Sequence, residues 1–275
     1  ASRPSYDPLT IDTKWDDIIN DSSDSRLVNR ATQGKYIPGS IFKIITTLDY
    51  MRENKNYNKF NYYCDGKARF KGFSIKCFDG TAHGSEDLTD AFAHSCNSAF
   101  STIGDKLNVT KYRKTAEDLL FNKDLPLDID YNQSVFALDS TSTQFDITQT
   151  SIGQGKTTVS PAHMAMIASA IANDGVLMKP YIIDRVENSS SNIVKQTKEQ
   201  KYKTLMTSDE AKQLRKYMSA VCTYGTGKIM ANANYKAYGK TGTAEIDKKD
   251  NVNSWFVGFA KKGKKKIAIA VVIEK

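Results

Sequence analysis

A helix that is apolar on nearly every side constrains this chain more than any other feature. Ser160-Pro161 supplies a capping serine and then proline at the first helical position, where a missing N–H costs nothing. From Met164 to Asn173 the residues are apolar almost all round, and Gly175 offers a stop. Such a helix needs neighbours on all sides, and therefore a layered domain. Three strand-like runs, Tyr235 to Ala244, Trp255 to Ala260 and Ile267 to Ile273, supply a layer. Lys261, Lys262, Lys264, Lys265 and Lys266 surround Gly263 between the last two runs, which reads as a solvated hairpin turn. Those two strands are expected to be antiparallel neighbours. The economical architecture is α/β of the α+β type, a mainly antiparallel sheet sandwiched by helices.

Other elements follow from local signals. Ile41, Phe42, Ile44, Ile45 and Leu48 predict a buried helix starting at about Ser40, after the Pro38-Gly39 turn. Leu88 to Leu107 reads mostly as helix, and so does Thr110 to Phe121. Thr207 and Glu210 fit a capping box, so a helix is expected from about Ser208 to Cys222. Asn54 to Gly84 reads as loop or short hairpins. With no internal repeat and no clear second domain, residues 1–275 are read as one domain. A mean hydropathy of −0.49 and no long uncharged apolar run argue against a membrane span within the chain. The net charge of +8 permits an anionic partner, but no nucleic-acid motif accompanies it, and lysines spread over the surface explain it as well.

Ser40-Ile41-Phe42-Lys43 is a Ser-x-x-Lys pattern at a helix start. The i, i+3 spacing puts both side chains on one face, and the helix N-terminus offers free N–H groups. The positive dipole end and burial both favour a neutral lysine, which can take the serine proton. In a chain with 39 Lys+Arg the pattern alone is weak; a capping serine beside a surface lysine would look the same. Two further motifs change the weighting: Ser95-Cys96-Asn97, then Lys240-Thr241-Gly242-Thr243.

In that order the three motifs resemble the set shared by penicillin-binding proteins and serine β-lactamases. Tyr36 to Lys43, Ala1 to Pro8, His94 to Asn97, Gly153-Gln154-Gly155, Gly225-Thr226-Gly227, Lys240 to Glu245 and Trp255 to Phe259 narrow the resemblance to class B penicillin-binding proteins of elongation, division or sporulation. It covers nearly the whole chain. It implies a serine D,D-transpeptidase that cross-links peptidoglycan stem peptides and is covalently inhibited by β-lactams. It assigns Ser40 as nucleophile, Lys43 as base, Ser95 as proton relay, Asn97 as orienting group and Lys240 as a source of positive potential. Thr241, Gly242 and Thr243 are substrate-binding, and the backbone N–H groups of Ser40 and Thr243 form the oxyanion hole. No cofactor is needed for this chemistry.

The resemblance also implies an N-terminal membrane anchor and pedestal that this chain lacks, a place on the extracytoplasmic face of the bacterial cell membrane, and a partner glycosyltransferase within a wall-synthesis complex. The rival readings are a serine β-lactamase and a β-lactam sensor or structural domain. A class A β-lactamase needs a Glu-x-x-Leu-Asn loop. Glu117 to Asn122 misses that spacing by one and reads as helix. Gly225-Thr226-Gly227 either lines the donor cleft or links a helix to a strand.

The cysteines leave alternatives open. Cys64, Cys77, His83 and Cys96, with Asp79 as an alternative ligand, have the chemistry of a structural zinc site that would brace the second motif from behind. A Cys64–Cys77 disulfide and plain buried thiols are the competing readings. Cys96, between Ser95 and Asn97, should point away from both. Cys222 reads as core.

Overall fold

The computed structural model describes residues 1–21, 24–246 and 251–274. At its centre is helix Pro161–Ala172, with Met164, Ile167, Ala168, Ala170 and Ile171 all fully buried. Ser160 caps it by accepting a hydrogen bond from the backbone N–H of His163 at 3.3 Å. The helix lies against a three-stranded antiparallel sheet in which Val252–Lys262 runs between Lys236–Glu245 and Lys265–Glu274. The last two strands are joined as the lysine-glycine turn predicts, with Lys262 opposite Lys265.

Helices and antiparallel strands make up the fold, as the sequence reading expects of an α+β domain. Among the described residues the helices cover the sheet face that carries Trp255, Val257 and Phe259. The opposite face of the last strand leaves Ile267, Ile269, Val271 and Ile273 exposed. Strand alternation places these two sets on opposite sides.

Helix Ser208–Thr223 packs on strand Lys236–Glu245 and carries the expected Thr207–Glu210 capping box. The region expected as loop or short hairpins holds one short hairpin, Lys67–Phe70 with Phe73–Lys76, enclosed by the pair Asn61–Cys64 and Gly84–Asp87.

Two expectations need correction. The helix predicted from Ser40 begins as a 3₁₀ turn, Gly39–Phe42, and becomes α-helical over Lys43–Glu53. The helix predicted from Leu88 to Leu107 is two helices, Leu88–Ala93 and Asn97–Gly104. Between them Ser95 takes the left-handed conformation (φ 60), which ends one helix and starts the next in a new direction. The apolar residues on both sides keep the same periodicity, so the break leaves no trace in the pattern.

Candidate active site

The 3₁₀ turn carrying Ser40 is held by glycines. Gly39 has φ +56, and a Cβ there would lie 2.5 Å from the carbonyl oxygen of Thr243. Across the gap, a Cβ on Gly242 would lie 3.0 Å from the Ile41 side chain and 3.1 Å from the Ile41 backbone nitrogen. The close approach that Gly242 permits is therefore to the serine turn itself. Two glycines let the turn and the strand of the third motif come together, so Ser40 and Thr241 flank one cleft.

The side chains converge on two buried lysines. Lys43 and Lys240 are both fully buried. The Nζ of Lys43 lies 3.0 Å from Ser40 Oγ, 3.2 Å from Ser95 Oγ, 2.7 Å from the Ser95 carbonyl and 2.7 Å from Asn97 Oδ1. Lys240 donates to Ser95 Oγ at 2.8 Å and to the Thr241 carbonyl at 3.1 Å. Ser95 thus sits between two amines, and its left-handed backbone turns both its hydroxyl and its carbonyl toward Lys43. Asn97 completes its amide by donating to the Lys76 carbonyl at 3.1 Å, which fixes the orientation of its oxygen.

Burial sets the electrostatics. Desolvation pulls the Lys43 pKa down to about 7, against the opposing pull of Cys96, Cys77 and Glu86. Lys240 is pushed well below the usual lysine value by burial and by the charge of Lys43. Ser40, Ser95 and Asn97 are half-buried, so these groups reach the cleft while the two amines stay dry. Thr241 is half-buried and Thr243 exposed on the same strand face. Helix Val109–Asp118 holds Glu117 in an ion pair with Arg113.

Behind the second motif, Cys64, Cys77, His83 and Cys96 place one ligand atom each within 4.8 Å of one another. Asp79 lies in an exposed turn and is not among them. All four cysteines of the chain are unbridged, and the Cys64–Cys77 separation of 3.7 Å is far from the ~2.05 Å of a disulfide. The distances fit a tetrahedral centre instead. Sulfurs about 2.3 Å from a shared zinc stand ~3.8 Å apart. Cys64–Cys77 and Cys77–Cys96 are 3.7 and 3.8 Å, and Cys64 lies 3.4 Å from His83 Nδ1. Cys96 points into this cluster, away from the lysines, and also caps helix Asn97–Gly104. Cys222 is buried, as a core residue would be.

One residue here escaped the sequence reading, and a second lies in a segment that it left open. Glu86 is buried in strand Gly84–Asp87 and pairs with His94 at 2.9 Å, and the His94 ring stacks on His83. Nothing in the sequence distinguishes Glu86 from a surface acid. Thr226 lies with its hydroxyl 2.6 Å from that of Thr241, and its N–H donates to the Ala93 carbonyl. The Gly225-Thr226-Gly227 segment therefore reaches the third motif; its glycines were the available signal.

The family described as penicillin binding protein transpeptidase domain matches residues 1–275. The chain belongs to this family. Stage V sporulation protein D of Bacillus subtilis is 28% identical over 283 residues, an alignment covering 100% of this chain and 42% of that protein. The peptidoglycan D,D-transpeptidase PbpA of Mycolicibacterium smegmatis is 28% identical over 299 residues, 100% of this chain and 58% of that protein. The chain thus spans about half the length of these relatives. Among solved structures, the D,D-transpeptidase domain of a peptidoglycan glycosyltransferase from Eggerthella lenta superposes with a TM-score of 0.90 at 27% identity, covering 99% of this chain and 69% of that one. Penicillin-binding protein A of M. tuberculosis, solved as an imipenem acyl-enzyme, shares the fold at a TM-score of 0.86 and 24% identity, over 100% of this chain and 64% of that one. No helix among the described residues of this transpeptidase-family chain is long and apolar enough to cross a membrane.

Proposed function

We propose that this chain is the catalytic domain of a D,D-transpeptidase that cross-links peptidoglycan stem peptides through an acyl-enzyme on Ser40. The observation that carries the reading is the set of contacts around Lys43. A neutral amine has two N–H donors and one lone pair. Its two shortest contacts, at 2.7 Å, are acceptors: the Ser95 carbonyl and Asn97 Oδ1. They use both donors and leave the lone pair for the Ser40 hydroxyl at 3.0 Å.

The chemistry follows. Lys43 takes the proton of Ser40 as Oγ bonds to the penultimate carbonyl carbon of the donor peptide. The oxyanion that forms is held by the backbone N–H groups of Ser40 and Thr243. Collapse breaks the peptide bond, and the leaving D-alanine amine receives its proton from Lys43 through Ser95. An acceptor amine then attacks the ester, gives its proton back along the same path and regenerates Ser40. Lys240 donates to Ser95 Oγ and, when it carries its proton, adds positive potential, while Thr241, Thr243 and Thr226 present hydroxyls to the donor's terminal carboxylate. A β-lactam is opened by the same attack but leaves no separate fragment. The Glu-x-x-Leu-Asn spacing of a class A β-lactamase is missing from the sequence, so the acyl-enzyme is long-lived. Intact mass after incubation with penicillin, followed by peptide mapping, tests the assignment: one adduct on Ser40 is expected, and an adduct elsewhere ends it. Rapid turnover of a chromogenic cephalosporin would favour a β-lactamase instead. Failure to join a stem-peptide donor to an acceptor amine would favour a sensor.

The same reading places the domain on the outer face of a bacterial membrane, working beside a glycosyltransferase that polymerises the strands. It also includes a structural zinc held by Cys64, Cys77, His83 and Cys96. Bound there, the metal would brace Cys96 and with it the flanking Ser95 and Asn97. Elemental analysis of protein purified without chelator should give one zinc per chain; substoichiometric zinc would remove the metal from the proposal.

A further inference from the structure

Six lysine and arginine side chains line a groove that the transpeptidase chemistry does not use. Strand Lys236–Glu245 carries Lys240 in its middle and Lys236 at its start. There Lys236 stands directly opposite Lys261, which stands opposite Lys266, and Lys262 faces Lys265. Like charges in directly opposed positions destabilise a sheet. None of these five lysines has an ion-pair partner among the described residues; Lys266 donates to the Ala172 carbonyl.

The sheet end forms one wall of a cleft of about 820 Å³, lined by Lys236, Lys261 and Lys262 and by Ser219 and Thr223 of helix Ser208–Thr223. A second cleft of about 590 Å³ shares Ser219, Thr223 and Tyr238 with the first and adds Lys212, Arg215 and Lys216. Neither lining contains an aspartate or glutamate. Arg215 is occupied by Asp174 at 2.7 Å, so the uncompensated cations are lysines. The two clefts meet at their shared residues, and the second reaches Tyr224, two residues from Thr226.

We propose that this groove binds an extended phosphodiester polymer of the poly(glycerol phosphate) type, laid alongside the catalytic cleft. Cations on the sheet end and along helix Ser208–Thr223 form a track that a flexible chain can follow. Lysines act as point charges without the planar fork that arginine offers a carboxylate, which suits tetrahedral phosphodiesters spaced along a flexible chain. Ser219, Thr223 and Asn234 add groups that can bond glycerol hydroxyls. A bound polyanion also removes the repulsion across the Lys236–Lys261–Lys266 row, giving the register a purpose. The groove's occupancy is independent of the transpeptidase reading.

The test is fluorescence anisotropy of a labelled poly(glycerol phosphate) oligomer at low salt, followed through a salt series. Binding is expected to weaken steeply as salt rises, and the combined variant Lys236→Gln, Lys261→Gln, Lys262→Gln should weaken it about tenfold or more. The control variant Lys195→Gln, Lys198→Gln, Lys201→Gln, on exposed positions of and between strands Ile193–Gln196 and Lys201–Thr204, should stay within about twofold of the parent. The groove variant should keep its melting temperature or gain, since it loses opposed like charges, and should still be labelled by penicillin. Four results would overturn the proposal: no binding of the oligomer; equal weakening by both variants; equal displacement by polyglutamate of the same length; or loss of anionic phospholipid vesicle binding in the groove variant with oligomer binding unchanged.

Discussion

Lys236 and Lys240 are four residues apart on one strand and one face, yet they belong to different chemistry. Lys240 is fully buried, sits 5.7 Å from the Phe92 ring and bonds Ser95. Its charged form is penalised by the loss of water and by Lys43. Lys236 is exposed and faces another lysine across the ladder. What separates them is about 13 Å of strand, which carries Lys236 out to the open end of the sheet. A lysine becomes a proton-transfer or field-setting group where aromatic rings and hydroxyls replace its water, and remains a counter-ion for soluble anions where they do not.

Substitutions can break this comparison at either end. Ser40→Ala should abolish the penicillin adduct outright in an intact-mass assay. Lys43→Arg keeps a cation but loses a group able to give up its proton, so acylation should slow about 10³-fold in a stopped-flow assay. A fall of less than tenfold would move the base elsewhere. Lys240→Ala should cost about 10²-fold in acylation, whereas Lys236→Ala should stay within about twofold; equal losses would erase the distinction between them.

The pH profile sharpens it further. Below its pKa of about 7 Lys43 carries a third proton and no lone pair. Acylation should therefore rise about tenfold per pH unit up to about 7 and level off above it. Stability should move in the same direction. Between about 7 and 10.5 the unfolded chain binds a proton at Lys43 that the native chain does not, so this group's contribution to ΔG of unfolding grows as pH rises across that window. A flat acylation profile from pH 5 to 9 would contradict a lysine base. Thr226→Val should have a smaller effect than either buried-lysine change, raising KM for a donor peptide by about threefold to tenfold with kcat little changed, the cost of one hydroxyl contact to a carboxylate.

The cap residues, the central apolar helix and the lysine-glycine hairpin were legible because each is set by neighbours a few positions away. The three motifs were legible because their order and spacing survive without any coordinates. Other features were not. The break at Ser95 hides inside continuous helical periodicity. Glu86 looks like any surface acid, and Gly225-Thr226-Gly227 reads equally as a cleft wall or a plain connection. The cluster of Cys64, Cys77, His83 and Cys96 could be suspected from residue types, but the choice against a Cys64–Cys77 bond needed their separations.

By itself, then, the sequence determined which side chains are available and where helices and strands begin, because those depend on local backbone preference. The tertiary structure decided which lysines lose their water, which hydroxyl lies between Lys43 and Lys240, and which thiols meet. Those contacts join residues 52 and 145 positions apart. They are selected by how buried surfaces pack, which no short stretch of chain encodes.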